Sequence, residues 1–283
     1  MDCRITCIWD AGAMLGESPL WVAAEQALYW VDIEAPAIHR YTPSTLHKAT
    51  WRLTEKIGCL VYSPQHGFLA ALQSGFAQID LKSPGAAPLI TPITNPEADR
   101  PGNRFNDGKL DAKGRFWAGT MDDAERETTG AWWQLHPVSG AVRKIDEGYR
   151  VTNGPAFDAA RGRVYLTDSA IRTIYRAQLK DDGGLDGKTV FRRFAAADGY
   201  PDGMTTDARG NLWVAFWDGG CIRCLDPNGT ILHTLDMPVP RPTSMTFSDS
   251  EKQLFVTSAR TRLAPQALAR APLSGGLFCV ELE

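Results

Sequence analysis

Short runs of apolar residues alternate along the chain with clusters of Gly, Asp, Asn and Pro. The runs are rich in aromatic and β-branched side chains, which fit the pleated, half-buried surface of a β-strand. Asp and Gly between the runs favour tight turns, because both tolerate left-handed backbone and Asp can bond its own main chain. Almost no segment has the periodicity of a long amphipathic helix, so the pattern predicts an all-β chain of short strands.

Six segments of the chain repeat the order strand, tight turn, strand. Their first residues, called the anchor positions below, are Glu17, Gly58, Asn106, Asn153, Asp202 and Ser244. Successive anchors lie 41–49 residues apart, which is room for about four short strands in each unit. Four-stranded units at this period are typical of propeller blades, so the sequence predicts one six-bladed β-propeller domain over residues 1–283.

Both ends of the chain have the pattern of a strand, CRITCIWD near the start and GGLFCVELE at the finish. A ring of blades leaves open sheet edges where its two ends meet, and an open edge invites pairing with other chains. We therefore predict that the two terminal strands pair within one blade and close the propeller.

The anchor positions predict a metal site, because the innermost strand of each blade lines the central channel of a propeller. Two carboxylates, Glu17 and Asp202, and two amides, Asn106 and Asn153, would then face a common volume. Buried charge is costly unless it is paired or bound to metal, and no Lys or Arg occupies an anchor. Such oxygen donors suit calcium, magnesium or manganese and, with less selectivity, zinc or ferrous iron. One divalent ion is expected, with its identity open.

Composition excludes several classes of protein. The chain is 43% hydrophobic and 22% charged with a net charge of −3, which is ordinary for a globular protein and argues against a nucleic-acid partner. No apolar run is long enough for a membrane span and no secretion signal is visible, so a cytoplasmic protein without a membrane partner is expected. There is no GxSxG motif and no anchored histidine, so a serine triad is unsupported. The sequence leaves the oligomeric state open.

Four motifs follow one another along the chain: GESPLW at 16–21, RFNDGKLDAKGRFWAGTM at 104–121, TNGP at 152–155 and YPDGM at 200–204. With these motifs the sequence resembles the family of regucalcin (senescence marker protein) and the gluconolactonases over nearly its whole length. The resemblance implies a six-bladed propeller with one divalent metal at the channel mouth. It implies that the protein ligands of this metal are Glu17, Asn153 and Asp202, which are also three of the anchors.

The same resemblance implies a binding site for a sugar lactone. Arg104 and Asn106 would contact its hydroxyl groups and ring oxygen, and both offer donors suited to a polyhydroxylated ring. An acidic residue on the loop after the GTM segment would add a contact, which we assign to Asp122, with Asp123 and Glu125 as alternatives. Trp132 or Trp133, near the end of this loop, would either form an apolar wall of the site or pack within the blade.

The implied reaction is hydrolysis of an aldonolactone, such as glucono-, xylono-, arabinono- or galactonolactone, to the aldonic acid. Asp202 would be both a metal ligand and the general base that takes a proton from the attacking water. Two alternatives stay open, a metal-dependent ester or phosphotriester hydrolase and a non-catalytic calcium-binding regulatory propeller. An interaction propeller of the WD type is disfavoured, because the Trp-Asp dipeptide occurs only at positions 9–10 and 217–218. The particular sugar is not specified by these residues.

Overall fold

The structure is a computed structural model that describes residues 3–282 of the chain. It contains 24 strands in six antiparallel sheets of four strands each, and these form an all-β, six-bladed propeller. This architecture confirms the fold class that the repeats predict. The chain begins with β1 (Cys3–Trp9), and the complete blades follow.

The first three blades each start at the innermost strand and proceed outwards. Blade 1 contains β2 (Gly16–Val22), β3 (Ala27–Asp32), β4 (Ala37–Thr42) and β5 (His47–Arg52). Blade 2 contains β6 (Ile57–Ser63), β7 (Gly67–Leu72), β8 (Gly75–Asp80) and β9 (Leu89–Thr94). Blade 3 contains β10 (Asn103–Leu110), β11 (Phe116–Asp122), β12 (Gly130–Leu135) and β13 (Val142–Tyr149).

The last three blades keep the same order, except that β1 completes the sixth. Blade 4 contains β14 (Thr152–Asp158), β15 (Arg163–Asp168), β16 (Thr173–Leu179) and β17 (Leu185–Arg193). Blade 5 contains β18 (Tyr200–Thr206), β19 (Leu212–Trp217), β20 (Cys221–Leu225) and β21 (Ile231–Asp236). Blade 6 contains β22 (Pro242–Phe247), β23 (Gln253–Ser258), β24 (Leu277–Leu282) and β1.

Helices are few and short in the described residues. There are four 3-10 helices, at Ala23–Glu25, Ala159–Arg161, Ser169–Ile171 and Ala196–Asp198, and one α-helix, α1 (Pro265–Arg270). Within residues 3–282, none of the helices has the length and apolar character that a membrane crossing requires.

The blades follow the order of the chain around a ring. Neighbouring innermost strands pack against each other in sequence, and β22 of blade 6 packs against β2 of blade 1. In blade 6, β24 lies between β23 and β1, with Cys3 opposite Leu282 and Ile5 opposite Val280. The two ends of the described chain thus belong to one sheet, while residue 283 of the C-terminal strand pattern lies outside the described residues.

Asp side chains have a structural role in two of the turns that follow an innermost strand. Asp111 accepts the backbone N–H of Arg115 at 3.1 Å with one carboxylate oxygen, and the indole N–H of Trp117 at 3.0 Å with the other. Asp207 accepts the indole N–H of Trp213 at 3.1 Å in the same way. In these two blades, the side chain that shapes the turn also satisfies the polar atom of a tryptophan buried on the next strand.

Candidate functional site

The regular pairing of all six innermost strands is interrupted beside the anchor positions. The register shifts lie between residues 17 and 20, 57 and 59, 105 and 108, 153 and 156, 201 and 204, and 242 and 245. A bulge leaves residues unpaired in the ladder and changes the direction of their side chains. At the second blade the anchor is Gly58, where a Cβ atom would lie only 2.5 Å from the backbone of Phe105, so this anchor serves close strand packing.

Four of the anchors line one cavity of about 600 Å³: Glu17, Asn106, Asn153 and Asp202. They come from the innermost strands of four blades and lie in the first half of each strand, so they meet at one end of the channel. The side chains are buried, with 3% exposure for Glu17 and Asn153 and 7% for Asp202. The structure therefore brings together the three residues that the sequence predicts as metal ligands.

The side-chain amide of Asn153 has a defined orientation. The hydroxyl of Ser169 donates to the carbonyl oxygen of Pro201 at 2.6 Å, which leaves its lone pair to accept from Asn153 Nδ2 at 2.9 Å. The opposite atom, Asn153 Oδ1, accepts from Asn106 Nδ2 at 3.1 Å. Asn153 thus presents an oxygen, which retains a second lone pair, on the side of the cavity.

A third carboxylate, Asp107, is buried beside Glu17 and Asp202. The pKa of Glu17 and the pKa of Asp202 are both raised well above the usual range of a carboxyl group, mainly by burial. The negative charge of Asp107 raises the two pKa values further. Burial also raises the pKa of Asp107 to about 6, although the Lys109 ammonium and two backbone N–H groups act in the opposite direction. The three acids repel each other when ionised, so the cavity has an electrostatic preference for a cation.

The candidate metal ligands at the cavity are a mixed set of carboxylate and amide side chains. Within residues 3–282, no group of three or more His, Cys, Asp and Glu side chains is arranged to hold a metal ion. The set at the cavity has two carboxylates and the amide of Asn153 instead. None of the five histidines, all within the described part of the chain, lines the cavity.

The predicted substrate-binding residues Arg104 and Asn106 are joined by a hydrogen bond. Arg104 Nη1 donates to Asn106 Oδ1 at 2.7 Å, and Asn106 Nδ2 donates to the carbonyl oxygen of Thr152 at 2.7 Å. Arg104 Nε donates to Asp123 Oδ1 at 2.6 Å, and Lys56 Nζ donates to both oxygens of Asp123 at 2.9 Å. Arg104 is only 5% exposed, so this network holds its planar donor group rigidly in the cavity wall.

The structure places Asp122 outside this network and outside the cavity lining. Its carboxylate accepts the backbone N–H groups of Ala124, Arg126 and Glu127 at 3.3, 2.8 and 3.1 Å. These bonds shape the loop and hold the pKa of Asp122 below its usual value. The assignment of the loop's acidic contact to Asp122 stays a prediction, and in the structure its oxygens accept from the loop backbone. The acids of this loop that line the cavity are Asp123 and Glu125.

The two tryptophans after this loop also lie away from the cavity lining. Trp132 is fully buried and packs with Tyr149 and other apolar side chains of the blade core. Trp133 donates its indole N–H to Glu97 Oε1 at 2.8 Å. Of the two roles that the sequence allows, the structure places both side chains in blade packing.

Several residues of the cavity lining carry no signal in the repeats. They lie at strand ends or on connecting loops: Glu34, Lys56, Arg150, Tyr200, Trp217, Asp218, Arg241 and Arg262. Some are paired, such as Arg241 with Asp218 at 2.6 Å. The repeats align the strands of the blades and not their connections, so these residues could not be selected from sequence spacing.

The fold and the cavity define a six-bladed propeller with a buried acidic and amide site at one end of its channel. The profile of the family described as the SMP-30/Gluconolactonase/LRE-like region matches residues 15–260, and the chain belongs to this family.

Three similar proteins match at least 90% of this chain. A 6-deoxy-6-sulfogluconolactonase of Pseudomonas putida is 33% identical, with 100% of this chain and 96% of the relative covered. The pentonolactonase XacC of Haloferax volcanii is 33% identical, with 90% and 85% covered. The crystal structure of a calcium-binding protein, regucalcin, of Agrobacterium tumefaciens superposes with a TM-score of 0.90 at 25% identity, with 98% of this chain and 94% of that one covered.

Proposed function

We propose that the protein is a divalent-metal-dependent hydrolase that opens a sugar lactone to the aldonic acid. One observation carries the proposal: the buried oxygen atoms of Glu17, Asn153 and Asp202 line the same cavity as the polar side chains of Arg104 and Asn106. Two relatives that match 100% and 90% of the chain are named as sugar lactonases. Their names support a sugar lactone as the substrate of this protein.

The residues of the cavity fit a divalent cation. Glu17 and Asp202 offer carboxylate oxygens, Asn153 offers an oriented amide oxygen, and the mutual repulsion of the buried acids is relieved when a cation binds. A bound ion supplies Lewis-acid polarisation of the lactone carbonyl. Calcium, magnesium, manganese, zinc and ferrous iron all accept such donors, and the name of the Agrobacterium relative supports calcium among them.

Three of the cavity side chains also act on the substrate or on the attacking water. Arg104 donates to hydroxyl groups of the sugar ring, and its bonds to Asp123 and Asn106 keep it in place. Asn106 accepts from a hydroxyl group with the second lone pair of its Oδ1, because both of its N–H groups are already bonded. Asp202 takes a proton from the water that attacks the carbonyl carbon. The bond from this carbon to the ring oxygen breaks, and the ring oxygen leaves as a hydroxyl with the proton that Asp202 returns.

The test is acid release from a panel of sugar lactones by metal-free protein supplemented with each candidate metal in turn. We expect hydrolysis above the spontaneous rate with at least one metal and its loss on chelation. An aryl ester and a phosphotriester belong in the same panel, because faster turnover of either would favour the ester-hydrolase alternative. Metal binding without any turnover would favour the calcium-binding regulatory alternative and would contradict the proposal.

The role of Asp202 is tested by Asp202→Asn, which keeps the size of the side chain and removes its basicity. We expect kcat/KM for the best lactone to fall by about a thousandfold when the metal site is saturated. Asp236→Asn is the matched control, because Asp236 lies exposed on β21. Full activity of metal-loaded Asp202→Asn protein would show that the base is another group.

A further inference from the structure

An ion pair crosses the mouth of the cavity. Arg262 Nη1 lies 2.8 Å from Glu125 Oε1, and both residues line the cavity that contains Glu17 and Asp202. Glu125 belongs to the loop between β11 and β12 in blade 3, and Arg262 to the connection between β23 and β24 in blade 6. Because the six blades follow chain order around the ring, blades 3 and 6 stand opposite each other. The pair therefore links loops from opposite sides of the channel.

The loop of Glu125 is fixed from its own side of the ring. The carboxylate of Asp122 accepts the backbone N–H groups of Arg126 and Glu127. Arg150 Nε donates to the carbonyl oxygen of Glu125 at 2.8 Å. These bonds hold the loop as a compact turn with the Glu125 side chain in the cavity.

The connection that carries Arg262 is fixed from the other side. The N–H of Thr261 donates to the carbonyl oxygen of Met14 at 2.9 Å, and Arg241 donates to the carbonyl oxygen of Thr261. Glu125 and Arg262 both have left-handed backbone, with φ of 57° and 58°. This conformation is unfavourable for residues other than glycine and persists where the surroundings impose it. Both loops thus present their charged side chains towards each other.

We propose that Arg262 is a specificity-determining residue, which holds Glu125 across the cavity mouth and so limits the size of the substrates that enter. The class of substrate that enters rests on the proposed function, whereas the narrowing of the cavity mouth rests on the ion pair between Arg262 and Glu125. The side chains of Arg262 and Glu125 are 64% and 38% exposed, so solvent and salt weaken their attraction and the pair opens readily. Small lactones pass the narrowed mouth, whereas bulky esters need it open.

The first test compares Arg262→Gln with the original protein on a small aldonolactone and on a bulky aryl ester of the same acid. We expect the ratio of kcat/KM, ester over lactone, to rise about two- to fivefold in the variant, which is the range for removal of an exposed ion pair. High salt should raise the ratio in the original protein and leave it unchanged in Arg262→Gln. Arg4→Gln is the matched control, because Arg4 pairs with Glu281 on the outer strands of blade 6.

The second test is hydrogen exchange of the two loops, which needs neither metal nor turnover. We expect faster exchange of residues 122–130 in Arg262→Gln and of residues 259–264 in Glu125→Gln, and no further increase in the double variant. Unchanged exchange in both single variants would overturn the closure, and so would an equal loss of kcat on both substrates. If the original protein opens no lactone, the proposed function fails, while the exchange result still decides whether the mouth is closed.

Discussion

His39 is a half-buried histidine whose environment favours the neutral ring. It stacks on Trp30 with ring centroids 4.1 Å apart, and its Nδ1 lies 2.9 Å from the hydroxyl oxygen of Thr50. Burial is the main cause that lowers its pKa from 6.5 to about 4, and the charge of Arg52 adds to this while Asp32 opposes it. The folded protein therefore binds the proton of His39 less readily than the unfolded chain does.

This difference predicts a loss of stability in acid. Above pH 6.5 His39 is neutral in both states, and between pH 6.5 and 4 only the unfolded chain gains its proton. The free energy of unfolding should thus fall by about 2 kcal/mol between about pH 7.5 and about pH 5 through this residue. Urea titrations at both values should show a smaller fall in His39→Gln. His47→Gln, at an exposed position, should keep the original fall; an identical fall in His39→Gln would refute the assignment.

At the scale of single residues, the repeat selects side chains by their equivalent positions in the blades. Glu17, Asn153 and Asp202 occupy equivalent positions of three blades, and the structure brings them to one cavity. The repeat leaves the loop acid open, because three candidates lie within residues 122–125 and only backbone geometry decides which carboxylates are occupied. Arg262 carried no signal at all, because its relevance comes from a partner in the opposite blade.

At the scale of elements, alternation and turn residues predict the strands, but they do not predict the bulges that orient the site. An innermost strand that is buried on both faces has no polar face to show where the alternation of side chains breaks. In β14, for example, the five residues from Thr152 to Ala156 around the anchor are all buried. The break appears only in the pairing with β15, between Asn153 and Ala156. The positions of the strands are thus encoded locally, whereas the direction of the anchor side chains depends on the pairing with the neighbouring strand.

The C-terminal strand offers a prediction at the same scale. β24 lies between β23 and β1, and its residues Leu277, Phe278 and Val280 are fully buried. Each such side chain contributes about 1.5–3 kcal/mol, so their combined loss is comparable with the whole stability of a domain. Deletion of residues 276–283 should therefore abolish cooperative unfolding, as followed by circular dichroism on heating. A chain shortened only by residue 283 is the control, and an unchanged melting temperature would contradict closure of the ring through this strand.

At the scale of the whole molecule, the ring brings distant parts of the chain into one site. Glu17 comes from blade 1, Asn153 from blade 4 and Asp202 from blade 5, and each side chain alone is an ordinary polar residue of a strand. The closed ring also sets blade 3 against blade 6, which allows Glu125 and Arg262 to meet. Because the ring unites all these contacts, we expect residues 1–283 to unfold as one domain.

The central claim is that Glu17, Asn153 and Asp202 jointly bind one divalent cation. The most direct measurement is an anomalous difference map from crystals of the protein soaked in manganese, collected near the manganese absorption edge. We predict one strong peak within bonding distance of oxygen atoms from all three side chains, and its disappearance in Asp202→Asn crystals soaked at low manganese concentration. A map in which fully soaked, catalytically active protein shows no peak between these three residues would contradict the account.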